Sequence, residues 1–484
     1  MKVGKAIYNI LSQSTDVQSN FPFNTTDYAP TGTELVTNGD FSAAGINLVS
    51  NPNFTDTTNI TIANYNFATG DMTGWSTSSS GDGVTPYYSN GGALISNGAS
   101  GGQSAITQSS ILEDTKSYKI SYRIVSNGGG GLNLNGYGVF DSTVGSHSFY
   151  IVGLAAYTTF NIKRSGSNVN IVITDIVVEE LGADWEEISV DPDSASFGEN
   201  GLTIVQSSDV GLDNRVFQTS VTEDDKSYKV TYTIHSISLT SGNSVKYYNG
   251  AAYVVLPEQG VGTHTFYYTR QGTLDNWIFN LATPVTSATD YVTISSISIQ
   301  ELGEGWTINN ADATHYVEFI ETGARFVSDT ISPVLTLRQD VVESGKFYKI
   351  TCDATYAVGS GAARFKIGNI NTSSIQEGSN VLYLSAATTT TISYIERAAA
   401  DVDVVLTNIS VQEMILTKIF PELAPPDIDA PYIVYSVVSN SPSDTKNANG
   451  DIDTANIEVY GFQDTYNKAV DLGVSVRAAL DRKT

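Results

Sequence analysis

Along most of this chain, apolar and polar residues alternate one by one, the period of a strand with one buried face. In the segment SYKISYRI, Tyr118, Ile120, Tyr122 and Ile124 fall on one face, with Lys119, Ser121 and Arg123 on the other. Such runs follow one another across Gly, Ser and Asn turns with no helical stretch in roughly 110 residues, which favours antiparallel sandwiches. The two ends break the alternation. Ala6, Ile7, Ile10 and Leu11 lie at helical spacing, as do Ala469, Leu472, Val476, Ala479 and Leu480. These spacings predict helices over Val3–Leu11 and Thr465–Arg482. Between them a proline-punctuated stretch, Ile419 to Pro442, contains the predicted strand Tyr432–Val438, and Ala455–Phe462 predicts another.

The middle of the chain repeats itself. Three segments carry the same elements in the same order. An acidic turn enters an alternating strand at Glu113–Ile124, Glu223–Ile234 and Glu343–Ala354. A glycine turn enters a second strand at Gly145, Gly262 and Gly378, and a closing strand begins at Ile171, Val292 and Val402. The matching lysines Lys116, Lys226 and Lys346 lie 110 and 120 residues apart, and Trp75, Trp185 and Trp306 stand near the start of each unit. That spacing is the size of a domain, not of a solenoid repeat. The expected fold class is therefore mainly β, with three tandem antiparallel β-sandwich modules at 65–182, 183–303 and 304–414. Residues 21–64 are expected to form a stem or linker ahead of the first module.

Neither end makes a core alone, since a short first helix is not stable in isolation. Residues 1–20 and 415–484 together are expected to form one small α+β domain of about 90 residues, split by the insert. Charge divides the same way. The two ends carry 8 basic and 11 acidic residues, leaving −23 of the formal −26 to the insert. Such acidity argues against tracking nucleic acid, which needs a basic patch. The only cysteine, Cys352, excludes an internal disulfide framework and sits in an alternating strand as a small hydrophobe. No run approaches the ~18 apolar residues of a membrane span. The start, MKVGKAIYNILSQ, lacks the apolar stretch and cleavage site of a secretory signal, so a soluble chain made in the cytoplasm is expected.

The ends also carry a resemblance. They open with GKAIYNILS (Gly4 to Ser12), including Lys5 and Tyr8, and continue with KIFP (Lys418 to Pro421) and APYIVY, which contains Pro431, Tyr432 and Tyr435. A turn from Ser439 to Lys446, including Pro442, precedes a closing helix from Ala469 to Asp481. In this order the motifs resemble the small tail-completion proteins of long-tailed phages, which include tail terminators. The family has a short connection where this chain has roughly 395 residues. The resemblance implies a structural virion protein of the tail or neck, assembled in the host cytoplasm. It would form a ring, generally a hexamer, at the head-proximal end of the tail. Its partners would be the tail tube protein and the head–tail connector, with no membrane involved. Rings are built by head-to-tail contacts between neighbours.

A second resemblance covers about residues 65 to 414. ELVTNGDFS (Glu34 to Ser42), echoed by LVSNPNF (Leu48 to Phe54), then NFATGDMTGW (Asn66 to Trp75) and the closing strands look like carbohydrate-binding modules of the jelly-roll type. That resemblance implies glycan binding through exposed aromatic faces and allows a structural calcium, with no ligand set assigned and no other cofactor expected. Candidate stacking residues are Tyr137 and Phe140 in the first module and Tyr247, Tyr248 and Tyr253 in the second; the third offers only Phe365. No catalytic or metal constellation emerges, and no enzyme is expected. His147 and His264 occupy one repeat position that Asn380 takes in the third module, which suits a hydrogen bond at the strand start rather than metal ligation. The acidic pairs Glu179–Glu180 and Asp224–Asp225 lie at strand ends and turns, as solvated charge does. Two roles remain open: a neck component decorated with sandwiches, and an adhesin or fibre that binds host-surface polysaccharide.

Overall fold

The computed structural model describes residues 2–14, 18, 28–188, 194–206, 214–270, 272, 274–282, 290–312, 314–329, 334–367, 370–386, 393–398, 401–426, 428–443, 452–462 and 466–481. Among the described residues the chain is mainly β, with three six-stranded, three five-stranded and one three-stranded sheet, and two long helices, α1 (Lys2–Gln13) and α2 (Tyr466–Asp481). It divides into two compact units, 46–301 and the pair 1–45 with 302–484.

Each six-stranded sheet pairs with a five-stranded one around a shared core, and the strand order is the same each time. In the unit 46–301, one core joins Ile95, Tyr118, Ile120 and Ile173 of a six-stranded sheet to Ile106, Leu132 and Ile162 of a five-stranded sheet. A second core joins Leu202, Tyr228, Val230 and Ile294 to Val216, Val245, Trp277 and Phe279. In the other unit, Ile350, Ile409 and Val411 face Leu337, Phe365 and Ile395. The alternation read from SYKISYRI holds: Tyr118, Ile120, Tyr122 and Ile124 are buried, while Lys119 and Arg123 face outward.

Residues 28–64 are not a stem. They contain three opening segments, each with the same turn, and each is latched into a different sandwich. In every one an Asn and a Phe take positive φ, namely Asn38 and Phe41, Asn51 and Phe54, Asn64 and Phe67. A Phe in that region is rare, so its threefold recurrence marks one specified turn. The rings of Phe41, Phe54 and Phe67 are buried against Trp306, Trp185 and Trp75, at centroid distances of 5.2, 5.1 and 5.7 Å. Each indole Nε1 donates to the carbonyl of the corresponding Asn, at 3.0 Å (Asn38), 3.2 Å (Asn51) and 3.3 Å (Asn64). A glutamine completes each latch by bonding both backbone groups of one opening residue. Gln339 Oε1 accepts from Thr37 N at 3.1 Å, and its Nε2 donates to Thr37 O at 2.7 Å. Gln218 does the same with Ser50 and Gln108 with Ala63.

The order is reversed. The first opening completes the last sandwich in the chain, where Tyr28–Glu34 pairs with Val402–Leu416. The second completes the middle sandwich, where Leu48 N donates to Ile299 O at 2.8 Å. The third completes the first, where Thr57–Ile60 pairs with the strand Asn170–Leu181. In chain order the sandwiches are therefore nested rather than consecutive, and the boundary expected at residue 65 cuts through an opening.

The chain ends meet in one core. Ile7 and Leu11 of α1 and Leu472, Val476 and Ala479 of α2 pack with Ile419, Ile433 and Tyr435 of the three-stranded sheet, and with Tyr28, Met414 and Leu416. In that sheet Ile419–Pro421 runs parallel to Tyr432–Ser443, which pairs antiparallel with Ile452–Phe462.

Candidate functional site

The motifs that repeat most faithfully prove to be structural. Tyr118, Tyr228 and Tyr348 each accept a hydrogen bond through the hydroxyl from the backbone N–H of Glu113, Glu223 or Glu343, at 2.9, 2.6 and 2.6 Å. Burial pushes all three phenols up to about 12. Lys116, Lys226 and Lys346 pair with Glu180, Glu301 and Glu413 of the closing strands at 2.9, 2.7 and 2.9 Å. His147 and His264 donate from Nε2 to the carbonyls of Thr143 and Gly260, both at 2.7 Å. Asn380 donates to the carbonyl of Gln376 at 2.8 Å. All three bond four residues back, so an amide can replace an imidazole there. Burial also raises the Cys352 thiol to about 12, which keeps it an unreactive thiol. Among the described residues, no cluster of three or more His, Cys, Asp or Glu is placed to hold a metal.

The glycan candidates separate by strand phase. Tyr247 points inward and stacks on Trp277 at 5.3 Å, and Phe140 is wedged between Tyr122 at 4.9 Å and Phe149 at 5.3 Å. Both are core residues and cannot stack on a ligand. Phe365 is likewise buried. Tyr137 is half-buried, and its hydroxyl accepts from Leu154 N at 3.0 Å. Tyr248 and Tyr253 remain on the outward face as a cross-strand pair 5.3 Å apart, with Arg215 Nη1 donating to the Tyr253 hydroxyl at 3.2 Å. Of the positions singled out at the ends, Tyr435 is buried in the shared core and Tyr8 packs on its edge. Tyr432 meets Phe420 at 6.4 Å, Pro421 is exposed, and Pro431 follows a cis peptide bond. Lys5 lies in α1 and Pro442 in the strand Tyr432–Ser443; Lys446 lies outside the described residues.

The outward faces of the five-stranded sheets are where the sandwiches differ. The first presents Thr107, Asn161 and Lys163, whose Nζ donates to Asn135 at 2.6 Å. The third presents a charged face that sequence reasoning missed. There Arg338, Tyr394 and Lys366 lie side by side across three strands, and Glu396 lies beside Arg364 in the next row. Alternation sends Leu337, Ile395, Phe365 and Ile367 inward, so these polar side chains must share the other face. Glu396 is only 5% exposed, so its charge needs partners. It has them in Arg364, with Nη2 at 2.6 Å and Nε at 2.9 Å, and in Lys366 at 3.4 Å. The Lys366 ammonium also sits 5.7 Å above the Tyr394 ring. Beside this network opens a cavity of ≈ 340 Å³ lined by Val334, Arg364, Lys366, Glu396, Arg397 and Ala398. The sequence signal was available but dispersed: ARFKI and SYIER are far apart in the chain, and only their pairing brings three cations to one place.

No protein-family model matches the chain, and no curated protein matches it in sequence. Among solved structures, it is similar to the tandem CBM22 domain of Paenibacillus barcinonensis Xyn10C, with 9% identity over 47% of this chain and 93% of that one, at a TM-score of 0.20. It is also similar to a structure of the Sulfolobus Turreted Icosahedral Virus, with 9% identity over 70% and 90% of the two chains and a TM-score of 0.17. A Paenibacillus xanthan lyase aligns at 12% identity over 71% of this chain and 36% of its own, with a TM-score of 0.20. Likenesses this distant carry no argument about what the chain does.

Proposed function

We propose that this chain is a structural, non-enzymatic virion protein of a tailed phage, in which a tail-terminator-like joining domain carries three nested jelly-roll sandwiches. One observation supports this above the others: α1 and α2, from opposite ends of the chain, share a core with one small sheet. A fibre anchored at one end has no need to close its two termini into one domain. In this reading the small domain forms a ring at the head-proximal end of the tail, meeting the tail tube on one face and the head connector on the other. The sandwiches project as decoration. Negative-stain imaging of the purified protein tests it: rings with radial projections are expected, and elongated trimers would sink the proposal in favour of an adhesin or fibre. Hydrolysis of any member of a polysaccharide panel would overturn the non-enzymatic part.

A second reading is favoured by the divergent outward sheet faces. The repeated residues hold the sandwiches together, whereas Tyr248 with Tyr253 and the Arg338–Tyr394–Lys366 row differ from one sandwich to the next. Such divergence suits ligand recognition, and surface polysaccharide is the partner with which it fits best.

A further inference from the structure

We infer that the last sandwich binds an acidic saccharide, a uronate-bearing glycan, in the cavity beside Arg364, Lys366, Glu396 and Arg397. The anionic character comes from the lining charge: Arg364, Lys366 and Arg397 line the cavity with one carboxylate, Glu396, a formal +2 on a chain whose total is −26, and Arg397 is itself held by the Asp329 carbonyl. At physiological salt the distant acidic residues are screened beyond about 8 Å, so the local charge governs a ligand seated there.

The saccharide character comes from shape and from the mixture of groups. A cavity of ≈ 340 Å³ has room for a sugar ring and its substituents, and Tyr394 lies in the same face as a flat apolar surface. Lys366 bridges the two functions, with its ammonium near both the Tyr394 ring and Glu396. Arg364 commits Nε and Nη2 to Glu396. Its Nη1 makes no hydrogen bond among the described residues, which leaves that edge of the guanidinium for a ligand carboxylate. Glu396 then fixes the guanidinium in place and accepts hydroxyl hydrogen bonds from the sugar. The saccharide class rests on the glycan-binding reading above; the anion preference rests on the lining charge alone.

The test uses the full chain and three probes in affinity electrophoresis: polygalacturonate, neutral dextran and inorganic polyphosphate. Retardation by polygalacturonate alone is expected. Lys366→Gln should weaken it at least tenfold, Lys366→Arg should restore most of it, and Tyr248→Ala in the middle sandwich should leave it unchanged. No retardation by polygalacturonate, or retardation unaltered by Lys366→Gln, overturns the site. Equal retardation by polyphosphate overturns the saccharide class. Equal retardation by dextran overturns the anion preference while leaving the broader glycan reading intact.

Discussion

Replacing the three opening phenylalanines one at a time tests the nesting directly, because each substitution should weaken a different and specified sandwich. Phe41, Phe54 and Phe67 are 2%, 0% and 1% exposed, so each loses its full burial on truncation. Removing a buried Phe side chain costs about 3–5 kcal/mol. Lost ring contacts with Trp306, Trp185 and Trp75 are already part of that figure, because it is the cost of removing the whole side chain. At 1.36 kcal/mol per decade this raises local opening about 10²·²- to 10³·⁷-fold. Hydrogen exchange read by mass spectrometry resolves the effect by peptide. Phe41→Ala should deprotect 304–416 and spare 68–181, although Phe41 precedes the latter far more closely in sequence. Phe54→Ala should deprotect 185–301, and Phe67→Ala should deprotect 68–181. Deprotection of 68–181 by Phe41→Ala, or a uniform loss across all three, would refute the reversed order.

Four further outcomes follow. Leu11→Ala, at a fully buried position, should cost the small terminal domain about 2–5 kcal/mol and leave the exchange protection of 46–301 unchanged. Excising 58–180 and joining Thr57 to Leu181 by a short glycine linker should leave 185–301 folded, because Thr57 and Leu181 are opposite one another and Leu181 stays in the core of the middle sandwich; circular dichroism and exchange read it. With Tyr118, Tyr228 and Tyr348 raised to about 12 by burial, stability is intact below the unfolded phenol's pKa of ~10 and is lost as pH rises through about 12. Urea titrations at successive alkaline pH values should show that slope, and it should flatten in the triple Tyr→Phe variant. Asp312 is held at about 2 by the Thr314 N–H and by buried His315, so its contribution is complete above the unfolded value of ~3.9 and disappears as pH falls through about 2. Asp312→Asn should remove that acid-sensitive step from the exchange of peptides around His315.

Much of this was legible in the sequence because local periodicity reports which face of a strand is buried. The strand Ser117–Asn127 and the helical spacing of Leu472, Val476 and Ala479 both read correctly. Periodicity does not report which strand is the partner. ELVTNGDFS and LVSNPNF look alike, and nothing local says that the first belongs with Trp306 and the second with Trp185. One signal was present: Gln108, Gln218 and Gln339 each follow a module tryptophan by 33 residues, and three such latches require three openings. The doublet Tyr247–Tyr248 shows a second limit, since a shift of one residue exchanges core for surface. Arg364, Lys366 and Glu396 show a third, because their meeting depends on a pairing between distant strands.

The same pairing explains why sandwich can sit within sandwich. An inserted domain must begin and end at neighbouring points. In the first sandwich Thr57 is opposite Leu181, and in the last Tyr28 is opposite Leu416, so each enters and leaves as two adjacent antiparallel strands. A loop that already runs out and back accepts such a unit without displacing the fold around it. The last sandwich is inserted into the terminal domain in this way, and Tyr28, Met414 and Leu416 carry the strand pair into the core that holds α1 and α2. The bulk of the insert is thus no obstacle to closing the two ends of the chain. The paired entry and exit strands are themselves part of the core that closes them.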